Sequence, residues 1–233
     1  MNDLAPDPQA EQKRGAAEAA VAEIADGMIV GLGTGSTAAF AIKALGRRVA
    51  AGLRVTAAAT SLATERTARA VGVAVVPFEE IGRVDLCIDG ADEVDPAFRA
   101  IKGAGGALLR EKVVAASAAR MICIIDAGKL VERLGTKPLP IEVLPFAHRF
   151  VADAVRALGA DPVTRGDAAG RLAASDQGNL LIDCHFGAIP DPEGLAQALD
   201  GIPGLLGHGL FLAQVDALFV GATERRERPM TGP

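Results

Sequence analysis

Asp89, Asp92, Lys102 and Glu111 fall within one short stretch, DGADEVDPAFRAIKGAGGALLREK from Asp89 to Lys112. A carboxylate and an ammonium set beside oriented backbone N–H groups can remove a proton from carbon and hold the oxyanion that results. The chemistry these residue types offer is therefore proton transfer on a small anionic substrate. Taken singly, each residue has a plainer reading. Asp89 and Asp92 serve equally well as turn caps, Lys102 as a solvated cation, and Glu111 as the partner of a basic neighbour.

The flanking elements argue for the joint reading. Val84-Asp85-Leu86-Cys87-Ile88 reads as a short buried strand, which leaves Asp89-Gly90-Ala91-Asp92 at its carboxyl end, where open α/β sheets bind ligands. Lys102-Gly103-Ala104-Gly105-Gly106 is too flexible to pack as a helix, whereas the strong helix formers from Ala107 to Val114 predict one. Loop and helix together predict a helix N-terminus whose N–H groups favour an anion, with Glu111 in its early turns.

A second strand, turn and helix lies upstream. Met28-Ile29-Val30 predicts a strand, Gly31 to Thr37 a glycine and hydroxyl turn, and Ala38 onward a helix, the order of a phosphate cradle. It is not a dinucleotide fingerprint, because Ser36 stands where a third glycine belongs and Leu53-Arg54-Val55 supplies no acid about twenty residues on. Nor is it a nucleotide P-loop, because Gly35 occupies the place of the lysine. The hydroxyls of Thr34, Ser36 and Thr37 suit a small phosphate monoester; the plainer alternative is helix capping by Ser36 or Thr37.

The chain resembles the type A ribose-5-phosphate isomerases. The likeness rests on GLGTGSTAAF at 31 to 40, Ser61-Leu62-Ala63-Thr64-Glu65, DGADEVD from Asp89, KGAGGALLREK from Lys102 and IDAGKLVERLGTKPLPIEV from Ile125. It implies interconversion of ribose 5-phosphate and ribulose 5-phosphate in the non-oxidative pentose phosphate pathway, through an enediolate and without metal or cofactor. It further implies substrate binding by Thr34, Gly35, Ser36 and Thr37, by Asp89, Gly90, Ala91 and Asp92, by Lys102, Gly103, Ala104 and Gly105, and by Lys129. Glu111 would be the base; from the chemistry of the groups, Lys102 would hold the enediolate charge, Asp89 would move the oxygen-bound proton and help open the sugar ring, and Asp92 would orient hydroxyls. Lys13-Arg14 stand in place of the family's lysine-rich first helix. A homodimer or homotetramer is implied as well.

Composition agrees. The 233 residues carry a net charge of −5, and no basic stripe marks a nucleic-acid surface. Half of the residues are hydrophobic, yet no uninterrupted apolar run has membrane-spanning length, and the N-terminus lacks the pattern of a secretory signal. Three unpatterned cysteines fit a reducing cytoplasm. Cys87 and Cys123 lie in apolar runs, Cys184-His185 is the only adjacent pair of soft metal ligands, and His148 and His208 are isolated, which is poor material for a metal site. Two other function classes share parts of this pattern. A sugar-phosphate sensor would need a DNA-binding module for which no length remains, and a coenzyme A transferase would use its glutamate as a covalent nucleophile.

Alternating apolar strands and helices through about residue 126 predict an α/β fold, a largely parallel sheet with helices on both faces. After Lys137-Pro138-Leu139-Pro140 the order becomes strand, helix, strand, strand, helix, which predicts a smaller α+β domain inserted before the C-terminal strands. The expected division is 1–135, 136–205 and 206–233, with the chain returning to the first domain through Gly209-Leu210-Phe211-Leu212. Residues 1 to about 8 and Glu224 to Pro233 are expected to be poorly ordered.

Overall fold

Period-two and continuous apolar runs become two separate sets of strands. The computed structural model describes residues 7–167 and 169–229. In chain order the elements are α1 (Pro8–Ala22), β1 (Ile29–Leu32), α2 (Ser36–Ala50), β2 (Thr56–Ala59), α3 (Leu62–Ala70), β3 (Ala74–Val75), α4 (Phe78–Ile81), β4 (Val84–Asp89), β5 (Glu93–Val94), β6 (Ala100–Ile101), α5 (Leu108–Ser117) and β7 (Ala118–Ile125). They continue with β8 (Leu139–Val143), α6 (His148–Ala157), β9 (Asp161–Thr164), β10 (Leu180–His185), α7 (Pro192–Asp200), β11 (Leu205–His208), β12 (Leu210–Phe211), β13 (Ala217–Val220) and β14 (Glu224–Glu227).

Packing divides the chain into two compact units. The first takes the described residues up to Gly90, then Val114–Lys129, then those from Gln214 onward. Its seven-stranded sheet runs β14-β13-β7-β4-β1-β2-β3, parallel throughout except for β14 at one edge. Strand residues Val30, Leu32, Leu86, Ile88, Ile122, Ile124, Ala217 and Phe219 share one core with Ala16, Ala20 and Val21 of α1 and Ala41, Ile42 and Leu45 of α2. The intervening positions Cys87, Met121, Cys123, Ile125 and Leu218 are buried too, as a sheet covered on both faces requires. Val114 of α5 lies against Gly31 on that second face. Asp7 accepts from Gln9 N–H and Pro8 opens α1 without wasting a donor, so the helix starts firmly where the sequence expected little order. Residues 1–6 and 230–233 of the expected poorly ordered ends lie outside the described residues.

The C-terminal charged run corrects that expectation more directly. Glu224–Glu227 pairs antiparallel with Ala217–Val220. An edge strand needs only one satisfied backbone row and tolerates charge on its side chains. Arg225 lies 4.8 Å from the centroid of the Phe219 ring, and Arg120 bridges Glu23 and Glu227.

The second unit comprises Ala91–Val113 and Leu130–Ala213. It holds an antiparallel sheet of order β11-β8-β10-β9 and a small one of order β12-β6-β5. Ile141 and Val143 of β8, Ile182 and Cys184 of β10, Val151 and Val155 of α6 and Leu199 of α7 form its core. The strand, helix and strand order expected after Pro140 is present. However, Leu210–Phe211 pairs with Ala100–Ile101 inside this unit, so the chain rejoins the first unit at Gln214, later than Gly209. Residues 91–113 also belong to it, because their two short strands pair with each other and with β12 and not with the large sheet.

Candidate active site

In the first unit, the carboxyl ends of β1, β2 and β4 gather polar groups. Asp89 closes β4 and is buried, its Oδ1 accepting N–H bonds from Thr34 at 3.2 Å and Gly90 at 2.7 Å. This arrangement demands glycine at position 33, where a Cβ would stand 1.8 Å from Asp89 Oδ1. The turn then opens α2 through Gly35, at φ 121°, with no side-chain cap on the helix. Neither Ser36 nor Thr37 serves as the cap, and Gly35 does so by its backbone alone, leaving the first turn's N–H groups without a covering side chain. Ser36 is exposed, and Thr37 packs its Cβ within 3.7 Å of where a Cβ on Gly90 would lie.

Thr34 is committed differently from the sequence expectation. Its Oγ1 lies 2.9 Å from Thr60 Oγ1, 2.8 Å from Ser61 Oγ and 3.1 Å from Thr64 Oγ1. Thr64 donates to the Gly33 carbonyl and Thr60 to the Leu32 carbonyl. The hydroxyl cluster locks the turn, so the Thr34 side chain, like its N–H on Asp89, is engaged within the protein. At the end of β7, the buried Asp126 faces Lys13 Nζ at 4.0 Å and accepts the Lys129 N–H on its carbonyl. Lys129 ends the short turn Ala127–Lys129 and is partly exposed.

The second unit brings together Lys102 and Glu111. Both side chains are almost wholly buried, and Lys102 Nζ stands 3.3 Å from Glu111 Oε2. Lys102 also sits over the Phe211 ring, 5.3 Å from its centroid, where the ring's quadrupole favours a cation. Glu111 is carried one turn into the helix, its N–H bonded to the Ala107 carbonyl. Gly103 takes φ 109°, a left-handed conformation, and a Cβ there would meet Leu108 Cβ at 2.8 Å. Asp92 accepts the Ala104 N–H at 2.9 Å, so one of its oxygens holds the glycine loop.

Beside this pair lies a second, partly buried cation. Lys112 reaches within 5.2 Å of the same Phe211 centroid and 3.2 Å of His208 Nδ1. Burial pulls the Lys112 ammonium down to about 8, opposed by the charge of Asp200. His208 accepts the Leu210 N–H on Nδ1, which fixes the neutral tautomer with its proton on Nε2, facing Asp200 Oδ1 at 3.2 Å. Burial first, and Lys112 second, push its pKa down to about 4. Cys184 is buried, and burial with the Asp183 charge raises its thiol to about 12. Among the described residues, no group of three or more His, Cys, Asp and Glu is placed to hold a metal ion, and no helix is long and apolar enough to cross a membrane.

Each unit thus assembles part of the expected set: Thr34 to Thr37 with Asp89 and Gly90 in the first, Asp92, Lys102 to Gly105 and Glu111 in the second. Sequence reasoning assigned no role to Thr60, Lys112 or Phe211, and left His208 as an isolated histidine. Only Phe211 gave any signal, as one of 8 aromatic residues in the chain.

Comparison with known proteins agrees with the geometry. Residues 56–225 match the family model of ribose 5-phosphate isomerase A (phosphoriboisomerase A). The ribose-5-phosphate isomerase A of Sphingopyxis alaskensis is 52% identical over 209 residues, covering 90% of this chain and 91% of that one. That of Roseiflexus castenholzii is 46% identical over 215 residues, covering 91% and 92%. A D-ribose-5-phosphate isomerase solved in complex with phospho-erythronic acid superposes with a TM-score of 0.91 at 34% identity, over 94% of this chain and 99% of that one. The Methanocaldococcus jannaschii enzyme gives 0.88 at 36% identity, over 93% and 98%. The chain belongs to the ribose 5-phosphate isomerase A family, whose members interconvert ribose 5-phosphate and ribulose 5-phosphate.

Proposed function

We propose that the chain isomerises ribose 5-phosphate by moving a proton between C2 and C1 through an enediolate, with Glu111 as the carbon base. The buried contact between Glu111 and Lys102 carries this reading. A proton next to a carbonyl is weakly acidic, so the barrier falls mainly when the oxyanion is stabilised as it forms. Lys102 supplies a fixed cation for that charge in surroundings that screen it little. Glu111 takes the proton from C2 and returns it to C1, since a carboxylate that has become a carboxylic acid can give back what it took.

The remaining assignments follow the chemistry of each group. Ser36, Thr37 and the N–H groups of residues 35 to 37 take the phosphate, with Thr34 shaping the turn. Asp89 passes the oxygen-bound proton and helps open the furanose; Gly90, Ala91 and Asp92 orient hydroxyls, Asp92 partly by holding Ala104. Gly103, Ala104 and Gly105 add backbone contacts, and Lys129 a further one. The related isomerase that holds phospho-erythronic acid fits this assignment, because that molecule combines a phosphate with an acid group. The working form is a homodimer or homotetramer in the cytoplasm, and the scheme needs neither metal nor cofactor.

Turnover in deuterated water tests the reading. An enediolate predicts solvent deuterium at C1 of ribulose 5-phosphate, and at C2 of the ribose 5-phosphate pool as the reaction cycles. Pools free of deuterium after many reversible turnovers would contradict it.

A further inference from the structure

We propose that Arg165 is a positioning residue that fixes the glycine loop after Lys102, and with it the Asp92 carboxylate bonded to that loop, for the reaction. The proposal rests on the isomerase reading given above. Arg165 follows β9 and is tied to β10 through its own backbone N–H, bonded to the Leu181 carbonyl at 2.9 Å. Asp183 of β10 grips the guanidinium with both oxygens, Oδ2 to Nε at 2.8 Å and Oδ1 to Nη2 at 2.6 Å. A two-point contact of this kind fixes the plane of the guanidinium as well as its location.

The donors that face away from Asp183 reach two successive carbonyls. Nη2 donates to Gly103 O at 3.0 Å and Nη1 to Ala104 O at 3.1 Å. These carbonyls belong to the loop that follows Lys102, where Gly103, Gly105 and Gly106 have no side chains by which to be held. Ordering such residues costs backbone entropy, and a pair of charge-assisted bonds offsets part of it.

Peptide planarity turns this grip into a direction. Among the described residues there are no cis peptide bonds, so each carbonyl and the N–H of its own peptide unit point opposite ways. Holding Gly103 O aims the Ala104 N–H at Asp92, where the 2.9 Å bond is seen. Holding Ala104 O likewise turns the exposed Gly105 N–H away from the guanidinium. Arg165 touches no substrate in this scheme and acts through the loop.

Arg165→Ala, Arg165→Lys and the double variant Arg165→Ala/Asp183→Ala test it, with kcat and KM measured on ribose 5-phosphate. Arg165→Ala is expected to lower kcat by about 100-fold, the loss typical of a catalytic contact misplaced by about 1 Å, with a smaller change in KM. Guanidinium ion at millimolar concentration should recover at least about tenfold of that loss, because Asp183 and the two carbonyls still define its seat. It should not rescue the double variant, which lacks the carboxylate. Arg165→Lys should stay near the alanine level, since an ammonium cannot span a carboxylate and two carbonyls at once. If Arg165→Ala does not fold, the double variant, which leaves no lone carboxylate, carries the kcat measurement. Wild-type kcat in a variant lacking the guanidinium, full activity in Arg165→Lys, or failure of guanidinium to rescue folded Arg165→Ala would each overturn the proposal. Failure of the parent reading shows elsewhere, as an unaltered chain inactive on ribose 5-phosphate, and takes this proposal with it.

Discussion

Replacing Lys102 by methionine leaves Glu111 as a buried carboxylate without its cation. At 3.3 Å, and with the effective dielectric near 20 that suits such sites, the pair attracts by about 5 kcal/mol before desolvation is counted. Removing one member of a buried pair typically costs about 3–5 kcal/mol, because the survivor keeps its desolvation penalty and loses its partner. Methionine preserves the aliphatic stem over Phe211, so the loss reports on charge more than on packing. Urea unfolding of the wild type, Lys102→Met, Glu111→Gln and the double variant closes a thermodynamic cycle. Each single variant is expected to lose about 3–5 kcal/mol and the double variant much less than their sum. In parallel, kcat of Lys102→Met should fall by about 100- to 1000-fold, the usual effect of losing one oxyanion-stabilising group. Additive losses, with coupling under about 0.5 kcal/mol, would refute the claim that these two charges act as a unit.

Two further outcomes follow from the geometry. Gly33→Ala forces a methyl into the space of Asp89, so we expect a stability loss of about 1–3 kcal/mol by urea unfolding and a fall in kcat/KM of at least about 100-fold. His208 has a folded pKa near 4, below its ordinary 6.5, so the unfolded chain takes up a proton that the folded one refuses. The stability tied to this neutral histidine is complete above about pH 6.5 and drains as pH falls toward 4, amounting to about 2 kcal/mol by pH 5. In His208→Gln the slope of unfolding free energy between pH 7 and pH 5 should flatten by that amount, and an unchanged slope would contradict the assignment.

The sheet was legible because its strands are continuous apolar runs, such as Leu86-Cys87-Ile88, bracketed by glycine turns, and burial on both faces selects that pattern. Glu111 was legible because helix formers begin abruptly after the glycines and place it one turn in. Local composition does not encode distant partners. Arg165 meets carbonyls 61 and 62 residues away, and Glu93 accepts the N–H of Gly135 across 42 residues. Thr34 read as a phosphate ligand from its place in the turn, but the hydroxyls that engage it follow a different strand. The charged run Glu224-Arg225-Arg226-Glu227 reads as poorly ordered because it has little to bury, and its side chains are exposed, yet an exposed strand can still satisfy its backbone along the edge of β13. Asp92 was assigned to hydroxyls from its type, while its bond to Ala104 depends on a left-handed glycine that the sequence permits without requiring.

The most direct measurement is turnover of Glu111→Gln on ribose 5-phosphate, paired with binding of the same sugar phosphate. Glutamine keeps the shape and cannot accept the proton, so kcat is expected to fall by about 100- to 10,000-fold while the dissociation constant stays within a few-fold of wild type. A variant that turns over within about tenfold of the wild-type rate would show that another group removes the hydrogen from C2.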